Sequence, residues 1–262
     1  MAQGAQDIPI NVERYDSDYT FQDDVPLVET IGKDHPGEWL EMACGTGRIM
    51  IPLAEKGHTL TGVDHDPRML DQALDKIARL SSDVRRRLTL VENDMCRVEF
   101  DRQFSFVYIP FNSLLQLPDH TAVRKALGNA VKLLKPGGRL LVWVMNPSCG
   151  WWQEKNTTLK YTGTSRHAEG QFEYDRFYYN TIEGARQNVL YHMVYDDVDA
   201  DGKVRRQKHT LDLLTLTSFE LQVYLEDTGL MIDGLYGEYD LRPYETESAL
   251  IVFTGTKPTA TS

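Results

Sequence analysis

One stretch constrains this chain more than any other: Trp39-Leu40-Glu41-Met42-Ala43-Cys44-Gly45-Thr46-Gly47-Arg48. An apolar run ends in Glu41, two glycines flank Thr46, and a helical pattern of Ile49, Ile51, Pro52, Leu53 and Ala54 follows. The order is buried strand, glycine turn, helix. Glycine at 45 and 47 admits a positive φ and lets the backbone come close to a ligand. The new helix aims its unpaired N–H groups at whatever lies there. In open α/β sheets such a turn is a nucleotide-type site at the carboxyl ends of the strands. A tight turn without a ligand is the plainer alternative.

Two ligand readings compete. A dinucleotide fingerprint, G-x-G-x-x-G/A, would put Met50 at its third position, where the side chain is too large for close helix–strand packing. The chain has instead an acid, Glu41, four positions before Gly45. That arrangement resembles motif I, (Asp/Glu)-x-x-x-Gly-x-Gly, of the class I S-adenosylmethionine-dependent methyltransferases. The electrostatics agree, since a carboxylate attracts a cationic methionine moiety and repels a pyrophosphate.

The rest of the chain repeats the alternation of strand and helix. Residues 58–63 read as a second strand closed by Asp64, an acid about 20 residues past the turn and placed to take both ribose hydroxyls. Asp66-Pro67 opens a helix with a buried stripe of Met69, Leu70, Ala73, Leu74 and Ile77. A third strand, 88–91, leads to Asp94 and Met95. A fourth, 104–109, leads to Pro110-Phe111-Asn112-Ser113. A helix over 119–134 stops at Lys135-Pro136-Gly137-Gly138, and 139–145 is a fifth strand. Leu-Lys-Pro-Gly-Gly-Arg-Leu before an apolar strand is a further feature of the resembled family. Thr217 or Ser218 caps a helix over 219–228, and strands over 230–236 and 248–255 close the chain.

The resemblance implies an α/β fold with a doubly wound, seven-stranded, mostly parallel Rossmann-like methyltransferase sheet and an antiparallel β-meander insert. It covers residues 37–146 and 217–255, and the implied cofactor is S-adenosyl-L-methionine. Carried over position by position, the cofactor contacts are Glu41, Ala43, Gly45, Thr46, Gly47 and Arg48 at the turn, then Asp64 and His65. Asp94 accepts from the adenine amino group and Met95 packs on the ring. Met69 is an adenine contact or a core residue, and Pro110 opens the loop beside the reactive methyl. Phe111 and Asn112 shape the acceptor pocket. That loop is not the (Asp/Asn/Ser)-Pro-Pro-(Tyr/Phe) sequence used on nucleobase amines and glutamine amides, which lowers those readings.

Residues 1–36 form an N-terminal cap segment. A loose helical pattern over 11–31 is interrupted by Pro26, and Tyr15 and Tyr19 stand one turn apart. They either close over the methionine end of the cofactor or cover the sheet edge. Residues 147–216 leave the alternation, beginning with Trp151-Trp152. From Phe172 the period becomes two, and three strands over 172–179, 189–195 and 203–215 form a meander. Its Tyr, Arg and His residues suit a lid over a substrate or a dimer surface. The insert resembles that of bacterial small-molecule methyltransferases, including glycine/sarcosine and sugar-amine N-methyltransferases. Trp151, Trp152 and Tyr239 join the acceptor-site candidates.

The implied reaction is in-line displacement of the sulfonium methyl by N or O of a small-molecule acceptor. The sulfonium is already activated, so alignment and exclusion of water are the protein's main contribution. A general base is optional for an amine and more useful for a hydroxyl. Tyr15, Tyr19, His167, His192, His209 and Glu238 are the candidates, and the sequence does not choose among them.

Composition narrows the partners. A net charge of −11 over 262 residues argues against broad nucleic-acid binding, which needs phosphate-neutralising cations. Arg85-Arg86-Arg87 reads as a solvated helix end. Cys44, Cys96 and Cys149 show no C-x-x-C spacing, so neither a disulfide framework nor a metal site is expected. No apolar run reaches membrane-spanning length and no signal-peptide core opens the chain, which points to the cytoplasm. The alternatives are a methyltransferase acting on RNA or protein, a cofactor-binding protein without catalysis, and a nicotinamide oxidoreductase.

Overall fold

A computed structural model describes residues 12–149, 158–166, 173–183, 187–199 and 201–259. The chain divides into two compact units. One takes in Phe21–Gly150 and Leu216–Ser262, the other Met1–Thr20 and Trp151–Thr215.

Two short helices, α1 (Val12–Asp18) and α2 (Asp24–Gly32), open the described chain and belong to different units. Pro26 does not interrupt the pattern as expected. It sits in the first turn of α2, where a missing N–H deprives no intrahelical bond, and the break falls over residues 19–23.

The larger unit continues with β1 (Glu38–Met42), α3 (Met50–Glu55), β2 (Thr59–Asp64), α4 (Pro67–Ala78), α5 (Ser82–Arg85), β3 (Leu88–Glu92) and β4 (Phe104–Ile109). A 3-10 turn (Phe111–Gln116), α6 (His120–Leu133) and β5 (Leu134–Met145) follow. The insert contributes β6 (Lys160–Arg166), β7 (Glu173–Glu183), β8 (Asn188–Val198) and β9 (Val204–Leu214). The chain then resumes the first unit with α7 (Ser218–Glu226), β10 (Met231–Tyr236) and β11 (Leu250–Thr256).

The larger sheet runs β10-β11-β5-β4-β1-β2-β3. β1 pairs in parallel with both β2 and β4, and β11 lies antiparallel between β5 and β10. The seven-stranded α/β architecture is thus the expected one. β1 and β4 lead away in opposite directions across the sheet, so their carboxyl ends form its topological switch point. Every residue of β4 is buried, as a central parallel strand covered on both faces requires.

Caps set the helix starts. Asp66 accepts from the Arg68 N–H ahead of α4 with Pro67 in the first turn, and Asp119 accepts from Ala122 at 2.8 Å ahead of α6. Of the two candidates ahead of α7, Thr217 is the cap. It completes a reciprocal box with Glu220, which satisfies two orphan N–H groups at once.

Three local expectations change. Leu74 leaves the buried stripe of α4 and is half exposed, while Met69, Leu70 and Ala73 are buried. Lys135-Pro136-Gly137-Gly138 lies inside β5 rather than before it. The ladder to β4 shifts register between Phe104 and Phe106, and Gly137 takes φ +75°, so the chain absorbs the four residues as an irregularity within one strand. The meander has four antiparallel strands, β6-β7-β8-β9, not three. β6, Lys-Tyr-Thr-Gly-Thr-Ser-Arg, lacks apolar alternation and shifts register between Tyr161 and Gly163, which hides it from a period-two reading. β7 also runs through Glu183, past the expected strand end at 179.

The smaller unit holds α1 to its sheet with polar and aromatic contacts. Arg14 donates to both Asp197 oxygens at 2.8 Å, with its guanidinium over the Tyr174 and Tyr195 rings. Asp18 accepts from both tyrosine hydroxyls, at 2.9 and 2.8 Å.

Met50 is fully buried, and the space it needs comes from Gly62 on β2. A Cβ at 62 would lie 2.7 Å from both Met50 Sδ and Cys44 Sγ. The helix–strand closeness that a dinucleotide fold obtains with a third glycine is obtained here from the strand side. Gly62→Val should overpack this contact and lower stability by about 1–3 kcal/mol. A denaturant midpoint that does not fall would contradict that packing.

Candidate functional site

The turn after β1 is built from left-handed backbone. Ala43, Gly45 and Gly47 take φ of 65°, 53° and 78°. At Ala43 this conformation is uncommon for a residue with a Cβ. The Cys44 N–H donates to Val63 O at 2.9 Å, and the Gly47 N–H to Cys44 O at 2.9 Å, so the turn is tied to β2 and to itself. A Cβ at Gly47 would lie 2.9 Å from Ile51 Cδ1, whereas one at Gly45 would meet open space. The open side of the turn is where a ligand can approach. Thr46 is fully buried.

Asp64 ends β2 beside this turn. Its Oδ2 accepts the Gly45 N–H at 2.7 Å, and its Oδ1 accepts the Asp66 N–H at 2.9 Å. A carboxylate has about four acceptor sites, so two remain for two hydroxyls. His65 next to it is largely exposed, with Nδ1 3.7 Å from Asp64 Oδ1. The Asn93 N–H donates to Asp64 O at 2.9 Å, which fastens the loop after β3 to the end of β2. In that loop Asp94 accepts from the Cys96 N–H at 2.8 Å and Met95 is buried. The three segments carrying Gly45, Asp64 and Asp94 are thus joined by backbone and carboxylate bonds.

Glu41 is buried, 1% exposed, and accepts from the Tyr108 hydroxyl of β4 at 2.8 Å. Desolvation pushes its carboxyl up to about 8, against the lowering effects of the Tyr108 bond and of Arg48. Arg48 is engaged elsewhere. It makes a two-pronged pair with buried Asp24, donates to Phe21 O at 2.9 Å, and lies over the Phe21 ring. Its guanidinium fastens the start of α2 to the turn.

Beyond β4, Pro110 leads into Phe111, whose φ is 50°. Asn112 is buried and accepts from the Met145 N–H at 2.9 Å, joining this loop to the end of β5. Phe21 packs against Phe111 and Tyr239, with ring centroids 5.6 and 6.3 Å apart. Glu238 accepts from the Ala249 N–H at 3.3 Å.

Tyr15, Tyr19, His192 and His209 belong to the smaller unit. The Tyr15 and Tyr19 rings lie 4.8 Å apart, and burial raises the Tyr19 hydroxyl far above its ordinary value, with Tyr191, Tyr15 and Asp18 adding to it. His192 stacks on Tyr179, and both ring nitrogens meet hydroxyls, Thr210 at 2.8 Å and Thr181 at 3.3 Å. The His209 ring stands edge-on to Tyr195. Trp151, Trp152 and His167 lie outside the described residues.

Desolvation, with Lys208 adding to it, lowers His192 from 6.5 to about 4. A depressed histidine stabilises the fold while neutral, and that contribution drains away as pH falls from 6.5 toward 4. His192→Gln should flatten this part of the stability–pH curve. An unchanged slope between those two values would contradict the assignment.

Tyr108, Gly62 and Asp24 escaped the sequence reading. Tyr108 had a signal, since a tyrosine inside a wholly buried strand must find a partner for its hydroxyl. Asp24 had none.

The family model for a methyltransferase domain matches residues 40–138. Over 106 residues the chain is 37% identical to YqeM of Bacillus subtilis, a protein named provisionally as a methyltransferase, covering 40% of this chain and 41% of that one. Over 112 residues it is 31% identical to glycine N-methyltransferase of Rattus norvegicus, covering 39% and 38%. These matches span about two fifths of the length of the curated relatives. Among solved structures, the CcbJ methyltransferase of Streptomyces caelestis superposes with a TM-score of 0.73 at 19% identity, covering 94% of this chain and 96% of that one. The sugar N-methyltransferase KedS8 of Streptoalloteichus gives 0.73 at 18%, covering 98% and 96%. At such identities the likeness concerns the fold. Residues 40–138 therefore match the family model of a methyltransferase domain, and the chain shares the seven-stranded fold of methyltransferases of known structure.

Proposed function

We propose that this protein binds S-adenosylmethionine at the Gly45–Gly47 turn and transfers its methyl group to N or O of a small-molecule acceptor. The observation that carries the reading is Asp64, held against the Gly45 N–H with two acceptor sites to spare. Bound there, the cofactor supplies an activated sulfonium methyl. The chain's own residues then do the positioning. Asp64 accepts from the ribose hydroxyls, with His65 alongside. Asp94 accepts from the adenine amino group, and Met95 and Met69 pack on the ring. Ala43, Gly45, Thr46 and Gly47 bring backbone to the methionine end, Glu41 faces its ammonium group, and Arg48 holds the turn in shape.

Pro110, Phe111, Asn112, Tyr239, Trp151 and Trp152 are the acceptor-side candidates, and the insert sheet is a substrate lid or a dimer surface. Tyr15 and Tyr19 remain cofactor-side candidates on the resemblance alone. An amine is the favoured acceptor, because relatives named for their substrates include glycine and sugar N-methyltransferases. Among the described residues no helix is long and apolar enough to cross a membrane. We assign the protein to the reducing cytoplasm, which the free thiols of Cys44 and Cys96 favour.

The test is release of S-adenosylhomocysteine from S-adenosylmethionine in the presence of panels of primary amines and of alcohols. Turnover with an amine panel is the expected result. Cofactor binding without turnover on any acceptor would favour a binding protein, and no binding at all would sink the reading.

A further inference from the structure

The buried charges around the turn do not balance. Asp24 on α2 and Asp64 at the end of β2 both act on Glu41 of β1, and Arg48 is the cation that acts on it. Arg48 is committed to Asp24 through two hydrogen bonds. Asp64 is committed to two backbone N–H groups. The hydrogen-bond partner of Glu41 among the described residues is the neutral hydroxyl of Tyr108. The other titratable groups facing it are the Cys44 thiol and Tyr108 itself, both held neutral by burial first and by Glu41 next. An ionised carboxylate enclosed in this way, with no cation of its own, is strongly disfavoured.

A cationic ligand group supplies the missing charge. We propose that Glu41 stands as the neutral acid in the free protein and releases its proton to solvent when the ammonium end of the ligand arrives, with the Tyr108 hydroxyl donating to the resulting carboxylate. The inference rests on the cofactor reading above. Tyr108 is then a positioning residue: it acts on the ligand through Glu41. The same arrangement selects for charge, because a neutral or anionic ligand end gives Glu41 no reason to ionise.

Burial holds the Glu41 carboxyl at about 8, so at pH 7 roughly nine molecules in ten carry the proton, and binding should release about 0.9 proton per ligand. The sign follows. Affinity for S-adenosylmethionine should rise up to about tenfold per pH unit from pH 6 toward 8.

The experiment is titration calorimetry of the wild-type protein with S-adenosylmethionine at pH 7, in phosphate, HEPES and Tris. The dependence of observed heat on buffer ionisation heat reads out the protons released. Close to one proton for the wild type and none for Glu41→Gln is the expected pair of results. Tyr108→Phe should weaken binding at pH 7 by about tenfold or more, the scale of one hydrogen bond to a charged group. Tight wild-type binding with no buffer dependence would overturn the inference and leave the cofactor reading standing. Failure of the wild type to bind would overturn both. The wild-type measurement needs no substitution, so the outcome does not depend on any variant folding.

Discussion

Asp64→Ala should weaken S-adenosylmethionine binding by at least about 100-fold. Two hydrogen bonds from ribose hydroxyls to a carboxylate contribute about 1.5–3 kcal/mol each. The substitution also leaves the Gly45 and Asp66 N–H groups without their acceptor, loosening the turn the ligand rests on. Calorimetry with S-adenosylmethionine and S-adenosylhomocysteine checks the effect, and a thermal melt separates lost binding from lost fold. Asp64→Asn grades it. The amide oxygen still accepts one N–H, while the NH2 group opposes the other, so binding should fall between wild type and Asp64→Ala. Wild-type affinity in Asp64→Ala would mean that the ribose is held elsewhere and that the acid at the end of β2 is only a turn residue. Failure of the wild type to bind S-adenosylmethionine would sink the reading, and NAD would then be the next ligand to try.

Arg48→Ala should produce the largest loss of stability. Arg48 lies within 2.5 Å of Asp24, with the two side chains 10% and 0% exposed. Removing one member of a buried ion pair strands the other as an uncompensated charge, typically at a cost of about 3–5 kcal/mol. For a chain of this size that corresponds to a fall in melting temperature of roughly 10 °C. The double variant Arg48→Met with Asp24→Leu should recover much of the loss, since an apolar pair of similar volume leaves no buried charge. If Arg48→Ala alone melts like the wild type, the pair does not hold α2 to the turn. If the double variant is as unstable as the single one, packing of the guanidinium on Phe21 outweighs the charge.

Assembly is a separate matter, and light scattering answers it. Pairing of two chains through the insert sheet predicts twice the monomer mass, and a monomer defeats it.

Local chemistry makes much of this protein legible in its sequence. Glycines at 45 and 47 have the positive φ their turn demands, because few other residues adopt it without strain. β4 is a run of six buried residues, and a run that apolar belongs in the centre of a parallel sheet. Asp66 and Thr217 cap their helices for reasons that span three or four residues. Such signals survive in the sequence because the interacting groups are neighbours along the chain.

What the tertiary structure alone decided involves groups far apart in sequence. Gly62 makes room for Met50 across twelve positions, and Asp24 meets Arg48 across 24. Tyr108 reaches Glu41 across 67. α1 joins the insert strands rather than the helix that follows it, through Arg14 and Asp197, 183 positions apart. A strand without apolar alternation, β6, is held by its ladder to β7 and not by its own pattern. The physical reason is the same in each case. Burial and desolvation act on the environment that folding creates, so the charge state of Glu41 and the partner of Arg48 are properties of the packed protein and not of any segment of its chain.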